Sequence, residues 1–356
     1  MTAATVSAVS PDSALLWTEA GAWSLGHGIH RIPLPLPMDG LRAVNVYLIE
    51  TDDGPVLIDG GWALDVTRKQ FEESLGGIGY RFADIRRFFV THAHRDHYTM
   101  ASQLGTEHAI EVALGADEKP LLELLNSPSY AETSPFAVML TEAGAPELAW
   151  EWERSERIQP DPALWRDPDR WLEGDISISF GGREIRAIHT PGHTPGHYAF
   201  VDEAAGVLFS GDHILPTITP SVGFTGVRGP TALGDYLASL HKVRALGDLR
   251  LLPAHGPVFA SSRTRADELL AHHEVRFDLC RAALEAGAET AYDVARTLPW
   301  TRRELTLTDM DVFNQGLAVM ETLLHLDLLE LRGEVGRRAA DGTASFTLIP
   351  TEGTRS

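Results

Sequence analysis

The sequence predicts an α/β fold: two mixed β-sheets faced by helices, interrupted by a helical insertion and followed by a small C-terminal winged-helix-like domain. Three observations predict it. Apolar runs of strand length alternate with helical segments in the order β-rich, α, β-rich, α as far as Val258. Several of those runs end by releasing His or Asp beside Gly or Pro, as strands that carry a site at their carboxyl ends do. Beyond Val258 the character changes to long amphipathic helices closed by two short apolar runs.

Composition bounds the answer. The chain has 356 residues, enough for one large domain and a small one, and 44% hydrophobic with 22% charged residues describes an ordinary globular protein. A formal charge of −20 argues against a nucleic-acid or anionic-membrane binder, which needs a net basic face. Cys280 is the only cysteine, so neither an intrachain disulfide nor a thiolate cluster can form, and its helical context makes it a small core residue. No basic residue precedes Arg31 and no apolar run approaches a membrane span, so a cytoplasmic location is expected.

In chain order, residues 1–12 are small and polar and read as a loose tail. Domains are expected at 13–260 and 261–356. Short apolar runs from Leu15 to Glu50, broken by Gly and Pro, read as a β-meander, with Val44 to Ile49 alternating well. Val56 to Gly61 is a buried strand ending in Asp59 and a tight turn; a helix over 62–75 follows, then the strand Arg87 to Val90. His108 to Val112 reads as a strand and Ala116 to Leu125 as a helix. The segment 126–173, rich in Pro, Trp and Glu, has no β periodicity and reads as a helical insertion covering the site. Strands resume at 176–180, 184–189, 197–201 and 207–209, with a helix over 233–246 and a last strand over 249–253. Helices follow over 262–285, from Thr290 to about Leu298, and from Asp309; Leu328 to Leu331 and Ser345 to Ile349 read as a ribbon around a turn. This is a winged-helix outline, but the second helix of the pattern carries acids and no Lys or Arg, which favours a structural or dimerising module over DNA reading.

Chemistry concentrates in Thr91-His92-Ala93-His94-Arg95-Asp96-His97, directly after an apolar strand. His92 and His94 are two apart, so extended backbone points them the same way. Asp96 and His97 follow where the chain turns into a helix over 98–104, which swings them to a neighbouring position and suits two adjacent metals. Further donors come from the 189–197 loop with His189, His193 and His197, from Asp212-His213 after one strand, from His255 after another, and from Asp59.

These motifs resemble the metallo-β-lactamase superfamily. Residues 92–97 match its H-x-H-x-D-H signature, and His193, Asp212 and His255 match its later metal motifs in order, over roughly residues 25–258. With the C-terminal outline, the chain is most similar to the branch that includes lactamase-β-2-like proteins and acyl-carrier thioesterases. The resemblance implies an αββα four-layer sandwich and two Zn²⁺ per chain, with iron or manganese as alternatives. It puts one zinc on His92, His94 and His193 and the second on Asp96, His97 and His255. Asp212 would bridge them, and Asp59 would orient a ligand histidine from behind. Tyr198 and His213 are candidate substrate contacts, as is Arg95; His189 reads as a structural loop histidine, His272 and His273 as surface or interface residues, and His27, His30 and His108 are given no role in the site.

The implied chemistry is a binuclear zinc hydrolase. A metal-bound hydroxide, oriented by Asp96 as the catalytic residue, attacks an ester, thioester, lactone or amide carbonyl of a small or carrier-linked molecule. Alternatives are an endoribonuclease-like phosphodiesterase, a mononuclear iron persulfide dioxygenase-like oxidoreductase, and a non-catalytic scaffold. The expected partner is the substrate alone, without nucleic acid or membrane, and with a homodimer through the C-terminal domain as a further expectation.

Overall fold

The computed structural model describes residues 8–37, 40–127, 134–154, 161–227, 229, 231–301 and 303–350. A seven-stranded sheet is laid down in chain order: β1 (Trp23–Gly26), β2 (Ile29–Pro35), β3 (Ala43–Ile49), β4 (Val56–Ile58), β5 (Arg87–Phe89), β6 (Glu111–Gly115) and β7 (Arg170–Leu172). The first four pair antiparallel and the last four parallel. Parallel pairing needs crossovers, and α1 (Asp65–Gly77) and α2 (Arg95–His108) supply the first two. α3 (Lys119–Leu125), α4 (Pro135–Glu142) and α5 (Pro146–Arg154) lie between β6 and β7.

The second sheet contains β8 (Ile176–Phe180), β9 (Arg183–His189), β10 (Tyr198–Asp202), β11 (Val207–Gly211) and β12 (Arg250–Pro253). β8 to β11 are antiparallel; β12 returns parallel to β11 after α6 (Ala232–Ala245). Inner faces of the two sheets meet in one core that includes Tyr47, Ile58, Phe89, Phe200 and Phe209. Tyr47 packs edge-on to Phe209 at 5.3 Å and Phe89 lies 5.7 Å from Phe200. Each such buried ring contributes roughly 1.5–3 kcal/mol, so face-to-face packing holds the strand ends that carry the site.

The remainder is α7 (Ser262–Glu285), α8 (Ala291–Thr297), α9 (Val312–Leu331) and a ribbon of β13 (Val335–Ala340) with β14 (Thr343–Leu348). Thr290 and Asp293 close the start of α8 with reciprocal side-chain bonds, as its sequence predicts. No helix among the described residues is long and apolar enough to cross a membrane.

The chain divides into two compact units that are not continuous in sequence. One comprises Met1–Asn126, Pro160–Pro220 and Ala238–Asp267; the other comprises Ser127–Gln159, Ser221–Leu237 and Glu268–Ser356. A single boundary at 260/261 therefore does not describe the packing. Trp152 of α5 is the physical reason: it stacks on Phe313 at 5.4 Å and lies so close to α9 that a Cβ on Gly316 would stand 2.4 Å from its ring. Phe136 and Phe224 stack at 4.5 Å in the same cluster. Within the expected insertion, residues 128–133 and 155–160 lie outside the described residues, and 170–172 form a sheet strand instead of more helix.

Other expectations are corrected. Residues 1–7 lie outside the described residues, but from residue 8 the expected loose tail is anchored: Asp12 forms a fully buried ion pair with Arg31 at 2.9 Å. α2 starts at Arg95, three residues early, because Asp96 is an acid well placed in a helix first turn. His108 ends α2; the left-handed Ala109 (φ 53°) follows, and the strand begins only at Glu111. Leu328 to Leu331 is the last turn of α9, not a strand, and the chain turns at Gly333 (φ 74°) into β13. His273 is buried, not superficial.

Candidate metal centre

The donors stand on the loops and the helix start that follow the strand ends. β5 ends in buried Phe89, and His94 is still in extended backbone (φ −83°, ψ 155°) when α2 begins at Arg95. The rings of His92 and His94 consequently come within 4.5 Å of each other. His193, from the loop between β9 and β10, brings its Nε2 to 3.2 Å from His92 Nε2 and 3.1 Å from His94 Nδ1. Asp212 follows β11 and places Oδ2 3.5 Å from His193 Nε2.

The first turn of α2 turns Asp96 and His97 toward His255, which follows β12. Asp96 Oδ2 lies 3.4 Å from His255 Nε2 and 3.6 Å from His97 Nε2. Asp212 Oδ1 lies 3.3 Å from His255 Nε2 and 3.7 Å from His97 Nε2. One carboxylate thus presents an oxygen to each group of donors. Donor atoms of His92, His94, His193 and Asp212 all lie within 4.8 Å of one another, and so do those of Asp96, His97 and His255.

Behind the donors is a layer of hydrogen bonds. Asp59, in left-handed backbone (φ 64°), accepts the Thr91 N–H at 2.7 Å on Oδ1 and His97 Nδ1 at 2.9 Å on Oδ2. His255 Nδ1 donates to Ala43 O at 2.7 Å. In both histidines the second nitrogen is thereby aimed at the cluster. Asn45 donates to Pro253 O at 3.0 Å and Gly256 O at 2.9 Å, bracketing His255, and accepts from buried Arg31 at 3.0 Å. His197 accepts the Asp212 N–H on Nε2 at 3.2 Å and pairs through Nδ1 with the Thr190 hydroxyl at 2.8 Å. That approach requires Gly211: a Cβ there would stand 2.6 Å from His197 Nε2.

Comparison with known proteins agrees with this geometry. Residues 39–255, more than half of the chain, match the family described as the metallo-beta-lactamase superfamily. The chain belongs to the metallo-beta-lactamase superfamily. It is 28% identical over 145 residues to a beta-lactamase-like protein 2 homolog of Caenorhabditis elegans, a match covering 39% of this chain and 46% of that one. It is 36% identical over 112 residues to the atrochrysone carboxyl ACP thioesterase AacuM of Aspergillus aculeatus, covering 32% and 33%. The chain therefore spans about half, or less, of the length of these curated relatives. Among solved structures, a metallo-beta-lactamase family protein from Thermus thermophilus superposes with a TM-score of 0.74 at 29% identity, covering 92% of this chain and all of that one.

The donor set fits a divalent metal of the kind this superfamily's name implies. His97 Nε2, His255 Nε2 and Asp212 Oδ1 are buried and make no hydrogen bond of ordinary geometry, a costly state that a cation relieves. Burial and neighbouring histidines hold His92 well below the usual imidazole range, and burial with His193 beside it brings His94 to about 3. Both are therefore neutral, lone-pair donors. Burial alone would lower His97 and His255 too. Asp59, Asp96 and Asp212 outweigh it, lifting His97 to about 9, while Asp212 and Asp96 raise His255. Burial acts to raise Asp212, but His255 and His97 outweigh it and hold it well below the carboxylate range. His97 and His255 are thus the donors whose protons a divalent ion would replace.

All seven sequence-derived donors and Asp59 thus converge. Tyr198 does not serve as the substrate contact expected of it: its ring packs in the core between the sheets and its hydroxyl donates to Gly174 O at 2.8 Å. His213 is likewise fully buried, and burial pulls it down to about 3, so it acts in packing. Arg95 is exposed with its guanidinium 4.2 Å over the Trp62 ring. His189 donates to Pro195 O at 3.0 Å, as a structural histidine does. Neither donor group includes His27, His30, His108 or His272 among the described residues. Sequence reasoning missed Asn45 and Glu118. A polar residue inside Val44-Asn45-Val46 was the available signal for the first; for Glu118, an acid in an ordinary helix start, there was none.

Proposed function

We propose that this chain is a binuclear zinc hydrolase cleaving the acyl bond of an ester, thioester, lactone or amide in a small or carrier-linked substrate. Asp212 carries the proposal, because a single carboxylate offering one oxygen to each of two donor groups suits a pair of cations. His92, His94 and His193 would hold one zinc, Asp96, His97 and His255 the other, with Asp212 shared. Zinc bound there supplies an acidified water as nucleophile near neutral pH and an electrophile for the acyl oxygen.

The protein's own groups do the positioning. His94 and Asp96 are half-buried while the other five donors are buried, so the face between these two is where substrate would enter. Asp96, which His97 and His255 keep ionised, would orient the nucleophile by accepting its hydrogen bond. Arg95, exposed between them in sequence and stacked over Trp62, adds positive charge that suits a neutral or mildly anionic acyl group. Covalent catalysis by cysteine has no support, since burial pushes the Cys280 thiol up to about 12. The relative named as an ACP thioesterase supports a thioester within the acyl class. The charge of −20 weighs against RNA as substrate.

The test is metal analysis followed by a panel of ester, thioester, lactone, lactam and RNA substrates. We expect two zincs per chain and acyl hydrolysis, reduced about 10²-fold or more by Asp96→Asn. One iron per chain, or an unimpaired Asp96→Asn enzyme, would overturn the proposal.

A further inference from the structure

The two halves of the cluster are braced by different residues. Asp59 holds His97 directly, and the Asn45 amide brackets His255. Asp59 reaches His92 only through Thr91, and none of its bonds reaches His94 or His193. Those two histidines sit on different loops, one before α2 and one between β9 and β10, so something else must fix their separation.

Glu118 lies where the two loops meet, fully buried at the end of the turn that follows β6. Its Oε2 accepts the N–H of Ala93, the residue between His92 and His94, at 3.3 Å. Its Oε1 accepts the Gly196 N–H at 3.0 Å and the hydroxyl of Thr194, the residue after His193. The backbone comes close enough to permit this only because side chains are missing. A Cβ on Gly196 would stand 2.5 Å from Glu118 N and 2.6 Å from its Cγ, and one on Gly115 would stand 2.0 Å from Gly196 O. Burial pushes the carboxyl up to about 7 in spite of its three hydrogen-bond donors. A buried acid is a costly way to fill space, and three converging donors account for its presence.

We propose that Glu118 is a positioning residue that clamps the His92–His94 segment to the His193 loop, setting the geometry of one metal position and not of the other. The inference rests on the two-metal reading above. Its consequence is asymmetric: losing the carboxylate weakens metal binding at His92, His94 and His193 and spares Asp96, His97 and His255.

The asymmetry is testable by zinc titration of chelator-stripped protein against a competing chromophoric chelator. In an Asp96→Ala background, which isolates the first position, Glu118→Ala should weaken zinc binding about 10- to 100-fold, the usual effect of losing a partner behind a ligand. In a His94→Ala background, which isolates the second, the same change should alter affinity less than about threefold. Glu118→Gln keeps an acceptor oxygen for Thr194 and Gly196 and should recover part of the loss; it also carries the comparison if the alanine variant does not fold. Equal losses in both backgrounds, or none in the first, overturn the inference and leave the two-metal reading standing. Backgrounds that bind no zinc overturn the two-metal reading itself.

Discussion

Asp59 is the residue on which most depends for its size. Held in left-handed backbone, it satisfies the Thr91 N–H, the Thr91 hydroxyl and His97 Nδ1 at once. Asp59→Ala would leave a buried N–H without a partner and His97 free to rotate or change tautomer. We expect zinc affinity to fall about 10- to 100-fold and stability by about 1–3 kcal/mol, read by zinc titration and by urea unfolding. Unchanged zinc affinity would remove Asp59 from the site. The donors themselves were legible in the sequence because ligation needs particular residue types at particular spacings: His92 and His94 two apart, Asp96 and His97 in the first turn of the helix that follows. Residues that hold donors in place obey no such spacing. Asn45 and Glu118 work by hydrogen-bonding backbone that is distant in sequence, as at Pro253 and Gly196, and only the folded chain brings those groups together. Tyr198 is no substrate contact because β10 sends its ring into the core between the sheets, which only the folded chain shows.

Among the elements, strands and their ends were the more readable, because each carries its own apolar run. The errors came where one pattern serves two structures. Leu328 to Leu331 is as apolar as a strand, but continues α9 without a break, with Leu329 buried and Leu331 exposed. The pairing of α7 with α9 was equally hidden. His273 Nδ1 lies 3.1 Å from His325 Nε2, and His325 Nδ1 donates to Glu321 O at 2.8 Å, in a pocket shared with Tyr236 and Phe277. Burial brings His325 down to about 4 and His273 well below its ordinary value. In the unfolded chain both titrate near 6.5. As pH falls below that value the unfolded chain takes up protons that the folded one refuses, so stability is full above about 6.5 and declines toward 4. For His325 alone this amounts to about 2 kcal/mol at pH 5. The double variant His273→Leu, His325→Leu should lose less stability than the parent between pH 7.5 and pH 5, measured by urea unfolding at each pH. Parallel losses in the two proteins would mean that the pair is not what acid attacks.

At the scale of the whole molecule, the charge of −20 and the donor cluster pull in one direction. With 50 acidic against 30 basic side chains, the chain repels itself when compact, and the cluster adds Asp59, Asp96 and Asp212 in buried or half-buried positions. Asp59, Asp96 and Asp212 raise His97, and Asp212 and Asp96 raise His255, so protons on these two imidazoles offset part of that local charge when no metal is bound. Three buried polar atoms are still left without ordinary hydrogen bonds. Two divalent cations would supply four positive charges where the carboxylates converge, and the unfolded chain, with its donors scattered from residue 92 to residue 255, has no comparable site. Binding to the folded state alone stabilises it by about 2.7 kcal/mol per site at a free zinc concentration of 100 Kd. Stripping the protein with a chelator should therefore lower its thermal midpoint by several degrees, and returning zinc should restore it, with the midpoint climbing further as free zinc rises. The Asp212→Asn variant provides the internal check, because it removes the negative charge that the shared position offers to both cations. Its midpoint should respond to zinc much less than the parent's. If parent and variant respond alike, or chelation leaves the parent midpoint where it was, the convergence of these seven side chains serves the fold rather than a metal.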